Sequence, residues 1–488
     1  MQVLNKAIFF IKRNWIIIFL LTLLTLITLL TGYEGSTDVG DYSDVAKYFS
    51  GDYAAKIRSS HSYFYGFLVS PLIALFGSFI VFKILSLIFL LLIVYSVYLI
   101  TGKNKKTFWL MIFSPIIWYM VPWVNSIQLS ALLFLWAYIF VKKYDKTEKF
   151  KFLILSGILV GLSWAFWDAI LFFSVIFAIS FLYNKKFYHF ILFFIFLLVG
   201  LLPKLILDHL LFNFVFMGIL RYLSGIVTAV FFQGIYGNMG SSYSFATFLA
   251  ILAFLPIFSY KLFSRENWRT NKKPIIFLFL VFLVILKNPQ LRYLLFLTPI
   301  IITELAPKLT ERQFKKQLAV FSVITILVTI PYIIQINNST NAEEFSSLLS
   351  NFNSIKISES QRVLIEQDLE NITNEFQNKV FIVGNEDDDY QKLAHIYWGE
   401  KVKEFVSIQD YRLFLNNQTV LFEKEFMPIP NIRDRRQIWL AGGINKNKND
   451  DTNYTGINFG IGMNEPINLE DFSVVKKYNI LYLSERSG

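Results

Sequence analysis

The chain contains no cysteine, which excludes disulfide bonds, thiolate metal sites and cysteine nucleophiles. Charge is also scarce, because only 17% of the residues are charged, against about 25% in a typical soluble domain. The hydrophobic share is 55% and the mean hydropathy is +0.49. Several apolar runs reach the ~20 residues that span a bilayer as a helix. These features predict a polytopic α-helical membrane protein.

The first apolar run, over residues 15–31, resembles a signal sequence in its position. It is longer than a typical signal-peptide core, and no small-x-small cleavage site follows it. We therefore interpret it as a retained signal anchor that forms the first membrane helix.

The two parts of the chain differ in charge. Residues 1–335 contain 30 lysines and arginines against 12 acids, a net +18, whereas residues 336–488 contain 16 against 23, a net −7. This asymmetry predicts a membrane domain over 1–335 and a second domain over 336–488. The basic part does not indicate nucleic-acid binding, because its charges lie in short loops between apolar runs.

Basic residues in short loops mark the cytoplasmic side of a membrane protein. Lys6, Lys12 and Arg13 therefore predict a cytoplasmic N-terminus. Every later basic loop falls on the same side if eleven helices cross, and the odd number places residues 336–488 outside. The predicted helices start near Trp15, Ile80, Thr107, Ile127, Phe152, Ala169, Tyr188, Ser244, Pro274, Leu291 and Leu318. The predicted location is the plasma membrane.

The first outer loop of this topology spans residues 32–79. Its apolar part, 63–79, must not cross on its own, because every later basic loop would then face outward. Pro71 and Gly77 interrupt this part, so we expect an interfacial or re-entrant segment.

The C-terminal part has a different pattern of apolar and polar residues. The stretch "SESQRVLIEQDLENITNEF" has the periodicity of an amphipathic helix. The short apolar runs "KVFIVG", "TVLFE", "QIWLAGG" and "NILYLSE" are bounded by turn residues and are typical of strands. A small extracytoplasmic α/β domain is therefore expected.

Polar residues gather near the predicted outer helix ends. An ionisable residue beside or within a membrane is a candidate for a functional role. The candidates for catalysis are Asp38 and Asp41, and those for substrate binding are Arg58, His61, Asp168, Lys204, Asp208, His209, Arg221, Arg292 and Tyr293.

This set of groups suits transfer from a lipid-linked phosphate. A carboxylate can take the proton of an acceptor hydroxyl as a general base. A guanidinium can neutralise a departing phosphate through two parallel hydrogen bonds. Both kinds of group are expected on the outer side, where the headgroup of a polyprenyl lipid would lie.

The order of these motifs resembles the GT-C superfamily of multi-pass glycosyltransferases, especially the archaeal and bacterial relatives of the protein mannosyltransferases. Asp38, Tyr42 and Ala46 in "DVGDYSDVA" match the acidic motif of the first outer loop in that family. Further matches are the segments "YGFLVSPL", "GILVGLSWAFWDAIL" and "LRYLLFLTPIII". The chain departs from the pattern after the fifth helix, where Trp167 and Asp168 stand in place of a frequent arginine.

The resemblance implies a glycosyltransferase that uses a sugar linked to polyprenyl or dolichyl phosphate and inverts the anomeric centre. It implies Asp38 as general base, with Asp41 as the rival, and a protein, glycan or lipid as acceptor. No cofactor is required by the sequence, and the need for a divalent metal stays open. The alternatives are a flippase or transporter of lipid-linked sugars, and a polysaccharide polymerase or ligase.

Overall fold

The structure is a computed structural model. It describes residues 2–31, 63–76, 80–168, 187–212, 291–337, 359–376, 381–383, 405–407, 457–463 and 465–487, together with residue 379 and single residues within 42–50, 170–181, 215–219 and 253–257.

The N-terminal 337 residues are helical wherever the structure describes regular elements. The helices are α1 (Gln2–Leu30), α2 (Tyr63–Phe76), α3 (Ile80–Ile100), α4 (Lys105–Ile112), α5 (Pro115–Met120), α6 (Ile127–Thr147), α7 (Phe150–Phe166), α8 (Phe187–Phe212), α9 (Leu294–Leu305) and α10 (Glu311–Asn337). Short 3-10 turns at Leu291–Tyr293 and Ala306–Lys308 flank α9.

Four helices among the described residues are long and apolar enough to cross a membrane. They lie at Ile80–Ile100, Ile127–Thr147, Phe187–Leu210 and Glu311–Ile330. Shorter apolar helices lie at Trp15–Leu30, Tyr63–Phe76 and Phe150–Phe166. The prediction of a mostly helical, polytopic membrane protein agrees with this arrangement, and the total of eleven crossings stays a prediction.

One predicted helix is interrupted. The segment expected to run unbroken from Thr107 ends at Ile112, and a new helix begins at Pro115. Proline lacks the N–H that would continue the helical ladder, but it is well tolerated in the first turn of a helix. Ser114 accordingly has extended backbone angles immediately before the proline.

Helix α2 contains 14 residues, with Pro71 inside it. Its length is about 21 Å at 1.5 Å per residue, which is short of the ~30 Å hydrocarbon core. Tyr63 and Tyr65 on this helix are fully buried, so α2 packs into the protein rather than lying free on its surface.

The C-terminal part combines α11 (Glu359–Glu375) with a five-stranded sheet. The strands are β1 (Phe381–Val383), β2 (Phe405–Ser407), β3 (Phe459–Met463), β4 (Phe472–Lys477) and β5 (Leu481–Arg486), in the order β2-β1-β3-β5-β4. β1 pairs in parallel with β2 and β3, whereas β5 pairs antiparallel with β3 and β4. The predicted runs "TVLFE" and "QIWLAGG" lie outside the described residues.

Asp368 attaches helix α11 to the turn between β4 and β5. Its buried carboxylate accepts hydrogen bonds from the backbone N–H groups of Asn479, Ile480 and Leu481 at 2.8 to 3.2 Å. A carboxylate that accepts several backbone donors is held in place strongly.

Candidate functional site

Helices α7 and α8 cross at very short distance because glycines line the contact. A Cβ atom built on Gly161 would lie 2.0 Å from the carbonyl oxygen of Leu197, and one on Gly200 would lie 2.1 Å from that of Ile158. Small residues at such crossings let two membrane helices approach backbone to backbone. This contact places the end of α7 beside the C-terminal half of α8.

Asp168 and Lys204 form a buried ion pair at this place. Asp168 follows the end of α7 by two residues, and Lys204 lies within α8. Lys204 Nζ donates to Asp168 Oδ1 at 2.7 Å, and each side chain is 3% exposed. Burying two charges is costly unless they remain paired, so each of these groups depends on the other.

Tyr63 adds a second buried contact one helical turn further along α8. Its hydroxyl donates to Asp208 Oδ1 at 2.6 Å and lies 3.0 Å from the carbonyl oxygen of Lys204. Tyr63 and Asp208 are both fully buried. We call Tyr63, Asp168, Lys204 and Asp208 the acid–lysine cluster.

The sequence predicted three members of this cluster as substrate-binding residues, but it did not predict Tyr63. Tyrosine is common in this chain, with 25 copies, and Tyr63 opens an apolar helix with no polar neighbour pattern to distinguish it. The sequence also missed Lys83 in α3, which is buried and donates to the carbonyl oxygen of Thr31.

Helix α2 also contacts the segment that follows the predicted base. The Tyr65 ring meets the Tyr42 ring edge-on, with centroids 5.3 Å apart. A Cβ on Gly66 would lie 2.7 Å from Cβ of Val45, so the two segments touch closely. Thus α2 joins the region just after Asp41 to the acid–lysine cluster.

Five of the predicted site residues lie outside the described part of the chain. They are Asp38, Asp41, Arg58, His61 and Arg221. Their proposed roles stay predictions.

Arg292 and Tyr293 lie in the 3-10 turn before α9. The Tyr293 ring centroid is 5.1 Å from that of Trp167, and Trp167 stacks on Phe296 at 4.9 Å with 9° between the planes. The Arg292 guanidinium carbon is 5.8 Å from the Tyr293 ring. Because Trp167 precedes Asp168 directly, this aromatic stack joins the Arg292 turn to the acid–lysine cluster.

His209 differs from its neighbour Asp208. It lies in the last turn of α8 and is exposed, whereas Asp208 is buried. The structure therefore places His209 on a different face of α8 from Lys204 and Asp208.

A second group of charges lies at the opposite end of the helices. Glu304 at the end of α9 pairs with Lys142 near the end of α6, and it also accepts from the Tyr138 hydroxyl at 3.2 Å. Lys106 pairs with Glu311 at 2.7 Å. Ser130, near the start of α6, instead bonds to Ser163 near the end of α7. Asp168 and Lys142 are therefore separated by most of the 21-residue length of α6, about 30 Å for a complete helix.

Comparisons with known proteins identify the fold. No protein-family model matches the chain, and no curated protein matches it. Two crystal structures of ArnT from Cupriavidus metallidurans are similar over 97% of this chain and 98% of ArnT. The structure bound to undecaprenyl phosphate has a TM-score of 0.57 at 10% sequence identity, and the apo structure has 0.56 at 11%.

The likeness extends over nearly the whole of both chains. At this level of identity the likeness establishes the fold. The chain thus shares the fold of ArnT, which agrees with the polytopic membrane fold that the resemblance in its motifs predicts.

Proposed function

We propose that this protein is a membrane glycosyltransferase that moves a sugar from a polyprenyl-phosphate donor to an acceptor hydroxyl on the extracytoplasmic face. Two observations support this proposal. The fold is that of ArnT, one of whose structures holds undecaprenyl phosphate. The acid–lysine cluster supplies a cation and carboxylates at one end of the helices.

The buried Lys204–Asp168 pair carries the proposal. A lysine that is 3% exposed is too costly to retain as a solubility residue, and ionisable groups buried in membrane helices mark substrate sites by default. Lys204 offers an ammonium group to a phosphate, and Arg292 lies in the turn that packs against Trp167 beside the pair. Both cations can neutralise the charge on a leaving phosphate.

The reaction needs a base besides these cations. In the proposed step, Asp38 removes the proton of the acceptor hydroxyl, and Asp41 is the alternative base. The acceptor oxygen attacks the anomeric carbon from the face opposite the phosphate. The bond between that carbon and the phosphate oxygen breaks, and the electron pair leaves with polyprenyl phosphate. The anomeric centre is inverted, and the proton ends on the carboxylate.

The proposed topology follows the charges. The basic group around Lys106 and Lys142 faces the cytoplasm, as basic loops do, and the acid–lysine cluster faces outward. Eleven helices cross the plasma membrane, residues 1–335 form the catalytic domain, and residues 336–488 form an extracytoplasmic α/β domain. Membrane lipids surround the first part, and the acceptor is a protein, a glycan or a lipid.

A binding experiment tests the proposal. The purified full chain is titrated with undecaprenyl phosphate in lipid nanodiscs and read by native mass spectrometry, with undecaprenol as the matched lipid without phosphate. We expect retention of the phosphate lipid and not of the alcohol, and weaker retention by Lys204→Ala. Equal retention of the two lipids, or of the phosphate lipid by wild type and variant, would contradict a phosphate site at Lys204.

A further inference from the structure

We propose that the Asp168 carboxylate is the counter-ion of Lys204 while the phosphate site is empty. After transfer, Asp168 displaces the product polyprenyl phosphate from Lys204. This inference rests on the proposed function, because it assigns Lys204 to the lipid phosphate. It goes further in giving Asp168 a role in product release rather than in holding the donor.

The Lys204 charge requires a neighbouring anion at all times. Its side chain and that of Asp168 are each 3% exposed, so water solvates neither group well. A buried charge that loses its partner is strongly destabilised. The ammonium is therefore stable next to a carboxylate or next to a phosphate, and the two anions are alternatives for the same donor group.

The exchange of Asp168 for a phosphate at Lys204 requires little movement. The backbone of Lys204 is fixed within α8, and the Tyr63 hydroxyl lies against its carbonyl oxygen at 3.0 Å. The lysine side chain has a flexible four-carbon stem. Asp168 lies beyond the end of α7, after Trp167, which has extended backbone angles. The side chains of Lys204 and Asp168 can thus separate without any shift of a helix.

The two carboxylates of the cluster have different partners. Asp208 accepts from Tyr63 at 2.6 Å, whereas Asp168 contacts the Lys204 ammonium directly at 2.7 Å. Of these two carboxylates, Asp168 is thus the one in position to compete with a phosphate for Nζ. Asp208 holds the surroundings of Lys204 through Tyr63, so it serves as a matched control in the same cluster.

The inference predicts the sign of a mutational effect. Asp168→Asn keeps the size of the side chain but removes the competing charge, so product lipid should bind more tightly and leave more slowly. A residue that only contacts the donor or supports the fold would show the opposite sign, because its loss weakens binding. Asp168→Glu retains the charge and should restore affinity close to that of the wild type.

The experiment measures the Kd of undecaprenyl phosphate for full-length wild type, Asp168→Asn, Asp168→Glu and Asp208→Asn in nanodiscs at one fixed pH. We expect Asp168→Asn to lower the Kd about tenfold or more, and Asp208→Asn not to lower it. If Asp168→Asn does not fold, Asp168→Ser tests the same sign.

An unchanged or higher Kd in Asp168→Asn, or in Asp168→Ser where that variant replaces it, with wild type still binding, would overturn the inference alone. An equal decrease of the Kd in Asp208→Asn would also overturn it. Tighter binding would then result from the loss of any negative charge in the cluster and not from the loss of the Asp168 carboxylate. Failure of wild type and variants alike to bind the lipid phosphate would overturn the proposed function, and the inference with it.

Discussion

Tyr63 donates a 2.6 Å hydrogen bond to Asp208, 145 residues later in the chain. The bond joins the helix that ends the first long loop to the helix that carries Lys204. The neighbouring residues Tyr65 and Gly66 contact Tyr42 and Val45. One short helix therefore holds together the segment after the predicted base and the cluster of the proposed phosphate site.

Removal of the Tyr63 hydroxyl tests this link. Tyr63→Phe leaves the ring in place but removes one hydrogen bond to the buried Asp208 carboxylate, and a hydrogen bond to a charged group contributes roughly 1.5–3 kcal/mol. We expect sugar transfer to fall by about tenfold or more, because α2 would hold the surroundings of Lys204 less firmly and each 1.4 kcal/mol of lost transition-state stabilisation is about a factor of ten. The measurement is the transfer rate of purified enzyme.

The control is Tyr65→Phe, an equally buried tyrosine two residues along the same helix, whose ring packs on Tyr42. Its transfer rate should stay close to that of the wild type. Equal losses in the two variants would show that α2 simply tolerates no change, which would contradict a specific role for the Tyr63 hydroxyl.

The glycine contact between α7 and α8 gives a second prediction. In Gly161→Ala the new Cβ would lie 2.0 Å from a backbone oxygen, so the helices must separate. Overpacking of this kind costs typically 1–3 kcal/mol, and it should also separate Asp168 from Lys204. We expect a lower thermal midpoint in detergent and weaker binding of undecaprenyl phosphate.

Leu155→Ala is the matched control on the same helix, since Leu155 is 41% exposed and faces away from the crossing. It should leave the thermal midpoint nearly unchanged. Wild-type stability and binding in Gly161→Ala would show that the close crossing does not position the pair.

Arg292 gives a third prediction. A planar guanidinium can hold two phosphate oxygens at once, and the compact ammonium of lysine cannot reproduce that geometry. Donor affinity should therefore fall in Arg292→Lys and fall further in Arg292→Ala, with unchanged stability. If Arg292 only extends to the lipid headgroups, Arg292→Lys will be silent. Titration of the donor in nanodiscs distinguishes these two roles of Arg292. Equal donor affinity for wild type and Arg292→Ala would remove Arg292 from the site.

The predicted general base, Asp38, gives a fourth prediction. Asp38→Asn keeps the size of the side chain and removes its ability to take a proton. Transfer should fall by ~10²–10⁴-fold, the range for general base catalysis, at unchanged expression, whereas Asp44→Asn should have little effect. Near-full activity of Asp38→Asn together with loss in Asp41→Asn would move the base to Asp41.

Most of the described helices in the membrane part could be predicted from apolar runs and loop charges, and the predicted starts at Ala169, Ser244 and Pro274 lie outside the described residues. Predicted starts at Ile80 and Ile127 agree with the structure, and those at Phe152 and Tyr188 differ by two residues or fewer. The last membrane helix begins at Glu311, not at Leu318, because its first turns are charged and polar and an apolar pattern does not reveal them. The first helix likewise begins at Gln2, upstream of the apolar run at Trp15.

In the C-terminal part, the amphipathic helix and the strands β1 and β5 were predicted, whereas β2, β3 and β4 were not. Strand β3 contains two glycines, which are poor strand formers. Strand β4 is a sheet edge with five of its six residues exposed, so it lacks the alternation of buried and exposed residues that marks a half-buried strand.

Three residues of the acid–lysine cluster could be predicted individually, but the contacts among them could not. Scarce charges in an apolar chain single out Asp168, Lys204 and Asp208, because each is costly in a membrane. That Lys204 pairs with Asp168 rather than Asp208 depends on the crossing of α7 and α8. Tyr63 could not be predicted, because only its position in the fold distinguishes it from other tyrosines.

The most direct test of the account is turnover of a defined donor. Purified enzyme in nanodiscs is given undecaprenyl phosphate linked to a labelled sugar, with a lipid extract as source of acceptors, and free undecaprenyl phosphate and transferred label are measured together. We expect equal amounts of the two products, both abolished in Lys204→Ala. Movement of the intact lipid-linked sugar across the bilayer without release of undecaprenyl phosphate would contradict a glycosyltransferase and indicate a flippase.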